Sequence, residues 1–194
     1  VAAPPDFADD AAAVAAALQG RQAGFTWLMD RHRASVFRYA RGQVRDDDEA
    51  LDVTQECFVS AFAALRRYDP ARPFRTWLLA ITVNKCRDWA RRRAVRRFFA
   101  FAVPLDDALS VADGAPDPEG ALSSVQEVAR IRRALAALPA NLREPLVLCT
   151  LDGLDQTEAG DVLGISRKAV ETRIYRARQR LAEIMEENSP KTAG

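Results

Sequence analysis

Apolar residues along this chain recur at helical spacing in two blocks, separated by a stretch with no such period. In the first block, Leu28, Val36, Tyr39 and Ala40 follow Phe25 in a register that includes His32, the pattern of an amphipathic helix. A turn around Arg45-Asp46-Asp47-Asp48 ends it, and these acids suit the positive end of the next helix. That helix is expected over 49–67, with Val53, Cys57, Phe58, Ala61, Phe62 and Leu65 on one face. Pro70 and Pro73 exclude helix from the loop 68–73. A third helix is expected over 74–93, with Trp77, Leu78, Ile81, Lys85 and Trp89 in approximate register.

The second block predicts helices over 122–137, 143–151 and 156–163, then a long one to about residue 186. Leu138-Pro139-Ala140-Asn141 separates the first two, and Gly164-Ile165-Ser166 turns into the last. Asp155 or Thr157 caps the third helix and Ser166 the fourth. Alternating β-branched runs and Asn-Gly turns are absent. The expected fold class is therefore all-α, with two small helical domains at 1–97 and 121–194 joined by a flexible linker at 98–120. The linker carries Pro104, Gly114, Pro116, Pro118 and Gly120 and an excess of acid. Its first residues, Phe98-Phe99-Ala100-Phe101-Ala102-Val103, are unusually apolar. They either extend the preceding helix, cover an apolar groove or receive an inhibitor.

Composition narrows the class. The chain has 194 residues, 48% of them hydrophobic, which is enough to bury a core. Cys57, Cys86 and Cys149 are too scattered, and His32 too solitary, for the short ligand spacings of a zinc site. The odd, dispersed cysteines fit a reducing cytosol rather than a disulfide framework, so a cytoplasmic location is expected. No run reaches the ~18–20 apolar residues of a membrane span, so no membrane insertion is expected. The Ala-rich segment 11–18 follows acidic Asp9-Asp10, unlike a signal peptide. The chain does not begin with Met, which reads as processing or trimming. We find no catalytic constellation, no Gly-rich phosphate loop and no nucleophile elbow, so neither enzymatic activity nor a cofactor is expected.

Charge order matters more than its sum of +1. The segment 155–180 has the form of a helix–turn–helix: Ala159, Val162 and Leu163 face inward, Gly164 makes the turn, Ile165 plugs the angle, and Val170 and Ile174 pack back. Arg167, Lys168, Glu171, Thr172, Arg173, Tyr175 and Arg176 then face outward. In such motifs this half of the second helix enters the major groove, where Arg forks to guanine and Thr meets a thymine methyl. A helical hairpin with a solvated basic face would show the same pattern. A second stripe, 85–97, holds Lys85, Arg87, Arg91, Arg92, Arg93, Arg96 and Arg97 against one acid, Asp88. Such residues neutralise phosphates, and Trp89 among them serves either as a stacking platform or as core. Asp47, Asp48, Glu49, Asp52 and Glu56 form an acidic helix start, either dipole partners or a docking face for a basic partner.

Taken in order, these segments resemble the extracytoplasmic-function (ECF) sigma factors, a group of the sigma-70 family of bacterial RNA polymerase subunits. Region 2 of that family is resembled by Phe25-Thr26-Trp27-Leu28, Val36-Phe37-Arg38-Tyr39-Ala40, Asp52-Val53-Thr54-Gln55-Glu56-Cys57-Phe58, the stretch Tyr68-Asp69-Pro70-Ala71-Arg72-Pro73-Phe74-Arg75-Thr76-Trp77-Leu78, and Asn84 with Asp88 to Arg93. Region 4 is resembled by Leu138-Pro139, Arg143-Glu144, Gly153-Leu154, Glu158, Leu163-Gly164-Ile165-Ser166 and Val170 to Leu181. The likeness covers roughly 20–94 and 122–183.

The resemblance implies a sigma factor that directs core RNA polymerase to promoters. Asp52, Gln55 and Glu56 match the face that docks on the clamp helices of the largest polymerase subunit. Tyr68, Asp69, Arg72, Phe74 and Asn84 match the element that captures a flipped base of the melted −10 strand, with Lys85, Arg87, Arg91 and Arg92 holding its backbone. The helix 167–180 matches the reader of the −35 duplex. An anti-sigma factor is implied as a further partner. Departures are Leu51 where an acid is common, Thr82-Val83 where Ala-Arg is common, Lys168-Ala169 where Gly-Thr often stands, and Gly160 for a usual Ala. Gly160 costs its helix about 1 kcal/mol unless it permits closer packing. The competing classes are a stand-alone helix–turn–helix regulator that binds duplex DNA without polymerase, and a decoy that mimics a sigma factor.

Overall fold

The computed structural model describes residues 7–44, 46–102 and 122–187, and within those it is all-helical. The Ala-rich start forms a helix, α1 (Asp10–Leu18), which the periodicity did not assign. Asp9 caps it by accepting from the Ala12 amide at 2.8 Å. Its small residues are there for close packing. Ala13, Ala16 and Ala17 are buried against α2 (Gln22–Gln43), and a Cβ added at Gly24 would lie 2.5 Å from the Ala13 carbonyl oxygen.

α2 buries Leu28, His32, Val36, Tyr39 and Ala40, the stripe expected from the sequence. The His32 Nε2 meets Asp10 Oδ1 at 2.9 Å, so the one histidine ties α2 to α1. α3 (Asp47–Ala64) is capped by Asp46, whose carboxylate accepts from the Asp48 and Glu49 amides. A 3-10 turn (Leu65–Arg67) leads to the 68–73 loop. α4 (Phe74–Ala102) then runs 29 residues. Its length decides one open reading: the apolar run from Phe98 continues the helix, through Ala102. The rest of the linker, 103–120, lies outside the described residues, as does 121.

The second block contains α5 (Leu122–Ala137), α6 (Ala140–Thr150), α7 (Gln156–Leu163) and α8 (Arg167–Glu187). It does not stand apart from the first. One apolar cluster joins Tyr39, Val44, Val53, Leu79 and Val83 of α2 to α4 with Leu138, Leu146, Val147, Val162 and Ile174 of the second block. α7 packs on α4, and α6 packs on α2. Gly42 marks a close approach: a Cβ there would sit 2.9 Å from Val147 Cγ1. A second cluster, around Leu28, Phe58, Phe74 and Leu78, belongs to the first block alone.

Candidate nucleic-acid and partner interfaces

The helix–turn–helix is built from local signals. Asp155 accepts from the Thr157 and Glu158 amides while Glu158 accepts from the Asp155 amide, a reciprocal capping box on α7. Gly164 ends α7 in the left-handed region at φ 68°, which favours glycine. The Ile165 amide bonds back to the Gly160 carbonyl at 3.0 Å. A Cβ on Gly160 would lie 2.7 Å from the Ile165 carbonyl oxygen, so the turn closes tightly only over a glycine. Ser166 accepts from the Ala169 amide and caps α8. Val170, Ile174 and Ala177 face inward. Arg167, Lys168, Glu171, Thr172, Tyr175 and Arg176 are exposed, and Arg173 is half-buried. Thr172 Oγ1 donates to its own helix at the Lys168 carbonyl, so its methyl is the group left for a base.

The 68–74 segment is a self-bonded turn. Asp69 Oδ1 accepts from the Ala71 amide at 3.0 Å, and the Tyr68 hydroxyl donates to the Arg72 carbonyl. Asp69 and Arg72 are exposed and Tyr68 is half-buried. Phe74 differs from expectation. It is 1% exposed and packs edge-on against Tyr68, with Trp77 and His32 beside it. The start of α4 needs an apolar anchor, so Phe74 supports the loop from beneath and presents no surface to a strand here.

Along α4, Asn84 is exposed and Lys85 half-buried. Four of the arginines that follow, Arg87, Arg91, Arg92 and Arg93, are held by acids. Arg91 pairs with Asp88 one turn back. Arg92 Nη2 lies 3.0 Å from Glu56 Oε2 on α3. Arg93 Nη1 donates to both carboxylate oxygens of Glu49, at 2.7 and 2.9 Å, with its guanidinium 5.2 Å from the centre of the Trp89 ring. Trp89 packs partly against the apolar cluster, so it is mainly core. Arg87 forks onto Glu144 of α6 at 2.8 and 2.7 Å.

On α3, Asp52 and Gln55 are exposed and Glu56 half-buried. They line a shallow groove of about 500 Å³ together with Val59, Ser60, Lys85 and Arg92. Residues of the acidic face and of the basic stripe therefore meet in one place, which their positions in the chain did not reveal.

A polar clasp between the two blocks was also missed by sequence reading. Asp152, after α6, inserts between α2 and α4. Ser35 donates to its Oδ1 at 3.0 Å, Arg38 lies 3.6 Å away, and Arg75 donates to its backbone carbonyl. Oδ2 of Asp152 is buried with no hydrogen-bond partner among the described residues. Burial pushes its carboxyl above the ordinary range, against the opposing pull of Ser35, Arg38 and Arg75. Arg143 donates to Gln43 Oε1 at 2.9 Å beside the Arg87–Glu144 pair. Between them lies a cavity of about 250 Å³ lined by Cys86, Ala90 and Ala140. Burial raises the Cys86 thiol strongly and the Cys57 thiol to about 11, so both are held as thiols at neutral pH. The three cysteines are free, and among the described residues no group of His, Cys, Asp and Glu is placed to hold a metal.

Comparison with known proteins identifies the arrangement. The family description Sigma-70 region 2 matches residues 28–96, and Sigma-70, region 4 matches residues 129–181. The chain is 41% identical over 190 residues to RNA polymerase sigma factor CnrH of Cupriavidus metallidurans, covering 96% of this chain and 99% of that one. This chain belongs to the sigma-70 family. The factor is also 35% identical over 167 residues to ECF RNA polymerase sigma factor SigE of Mycolicibacterium smegmatis, covering 86% of this chain and 63% of that one. The solved structure of CnrH in complex with the cytosolic domain of CnrY superposes with a TM-score of 0.70 at 34% identity, covering 94% of this chain and 100% of that chain. In family terms region 2 spans most of α2 through α4, and region 4 lies within α5–α8. The clasp is thus a region 2–region 4 contact, and Arg87 of region 2 is occupied by region 4. No helix of the factor, among the described residues, is long and apolar enough to cross a membrane.

Proposed function

We propose that the factor divides its work among three surfaces. α8 reads the −35 duplex through Arg167, Lys168, Glu171, Thr172, Arg173, Tyr175 and Arg176. The 68–73 loop with Asn84, Lys85, Arg87, Arg91 and Arg92 holds the melted −10 strand. Asp52, Gln55 and Glu56 dock on the clamp helices of core polymerase. The corresponding division of the chain is 1–97, 98–120 and 121–194, although α4 runs past the first boundary. The factor itself catalyses no reaction and acts in the cytoplasm. An anti-sigma factor is its natural inhibitor, a reading supported by the solved complex of CnrH with CnrY.

The observation that carries this reading is the open polar face of α8 on a doubly capped, glycine-turned motif, following a region 2 fold in the same chain. The test is reconstitution with core polymerase on a promoter library. The expected result is specific transcripts that need both the factor and the enzyme. Arg176→Ala should weaken −35 binding by about 1–3 kcal/mol if Arg176 forks to guanine. Tight binding to bare duplex without polymerase would favour the stand-alone regulator instead.

A further inference from the structure

The groove between α3 and α4 carries more than a docking face. Asp52, Gln55, Glu56 and Val59 stand at positions i, i+3, i+4 and i+7, hence on one side of α3. Lys85 and Arg92 of α4 form the opposite wall. One ion pair, Glu56–Arg92 at 3.0 Å, crosses between these walls. In the neighbouring pair, Nη1 of Arg93 donates to both carboxylate oxygens of Glu49. A carboxylate and a phosphate offer a guanidinium the same forked arrangement of oxygens. Arg92 and Arg93 each give one terminal nitrogen to a carboxylate, and that carboxylate offsets the charge a DNA backbone would meet. Both pairs are partly exposed, with Arg92 55% and Glu56 44% accessible, so water already competes for them and they exchange partners readily.

We propose that Glu56 and Glu49 hold Arg92 and Arg93 off nucleic acid in the free factor. A basic helix of the polymerase, docking in this groove, takes the carboxylates and releases the two arginines to strand phosphates. This rests on the reading that α3 docks on polymerase. The ion pairs then couple the two binding events: each arginine freed by the enzyme becomes available to DNA, and linkage makes the effect reciprocal.

Two measurements on the full chain test it. In the first, fluorescence anisotropy follows a labelled oligo-dT strand and the free factor at several salt concentrations. E49Q/E56Q should bind roughly tenfold more tightly than the unaltered factor, with a salt slope steeper by up to about 1.4, as expected for two added single-strand phosphate contacts. Adding R92A/R93A to that background should abolish the gain. Asp48→Asn removes one exposed α3 acid that makes no ion pair among the described residues. If E56Q gains no more than D48N, bulk charge explains the effect and the exchange is wrong. In the second, core polymerase binding is measured without DNA. R92A/R93A should bind the enzyme several-fold more tightly, because its carboxylates are already free. Unchanged or weaker binding, or an equal gain from Arg96→Ala, overturns the proposal. If the unaltered factor does not bind core polymerase, the docking reading itself fails. If it binds but these variants behave like their controls, only the exchange fails.

Discussion

The Arg87–Glu144 pair makes the closed arrangement of regions 2 and 4 testable. Glu144 has a side chain 6% exposed, and Arg87 one 40% exposed, with bonds of 2.8 and 2.7 Å between them. Removing one partner of a fully buried pair costs about 3–5 kcal/mol, and an exposed pair is worth at most about 1. Arg87 is half in water, so Arg87→Ala or Glu144→Ala should cost about 2–3 kcal/mol. A double-mutant cycle by urea unfolding should return a coupling of about 2 kcal/mol. That amount shifts a closed-to-open ratio roughly thirtyfold. Small-angle scattering reads the consequence. A compact chain of this length has a radius of gyration of about 16 Å, and separated regions would add roughly 5 Å or more. Gly42→Leu provides a steric counterpart, since even a Cβ there meets Val147 at 2.9 Å. It should open the regions while leaving the helices intact by circular dichroism. A coupling below about 0.5 kcal/mol, within ordinary non-additivity, would refute the clasp. So would an unchanged radius in Gly42→Leu.

Two further expectations concern single positions. Gly160→Ala should lower the melting temperature: the helix gains about 1 kcal/mol, but the new Cβ, 2.7 Å from the Ile165 carbonyl, forces a shift costing about 1–3 kcal/mol. A rise in melting temperature would show that the turn relaxes freely. Asp152 sets a pH dependence. Its carboxyl is raised in the closed fold above the ordinary 3.8, so its contribution to stability is present below that value and is lost as pH rises through the raised one. Asp152→Asn should therefore gain on the unaltered factor as pH rises from about 4 through the raised value, measured by urea unfolding. A difference that stays constant across that range would mean the carboxyl is not strained by burial.

The sequence by itself determined most of the helices, α1 excepted, and the family. Periodicity, prolines and caps act within a turn or two of chain, so α5 and α7 fall at the expected bounds, and α8 starts at its Ser166 cap. The same local signals exposed the helix–turn–helix face of α8 and the acidic start of α3. What lay beyond reach depended on partners distant in the chain. Glu56 and Arg92 are 36 residues apart, Glu49 and Arg93 are 44 apart, and Glu144 and Arg87 are 57 apart. Only packed helices bring such charges within hydrogen-bond distance. The basic stripe therefore read as open in the sequence, while the tertiary structure neutralises its arginines at 87, 92 and 93. Phe74 was misplaced for a related reason: a loop-flanking aromatic has the same sequence signature whether it faces DNA or anchors a helix. Its burial is decided by Tyr68, Trp77 and His32 around it. Local composition sets what each surface is made of, and packing between distant helices sets which of those groups are free to bind.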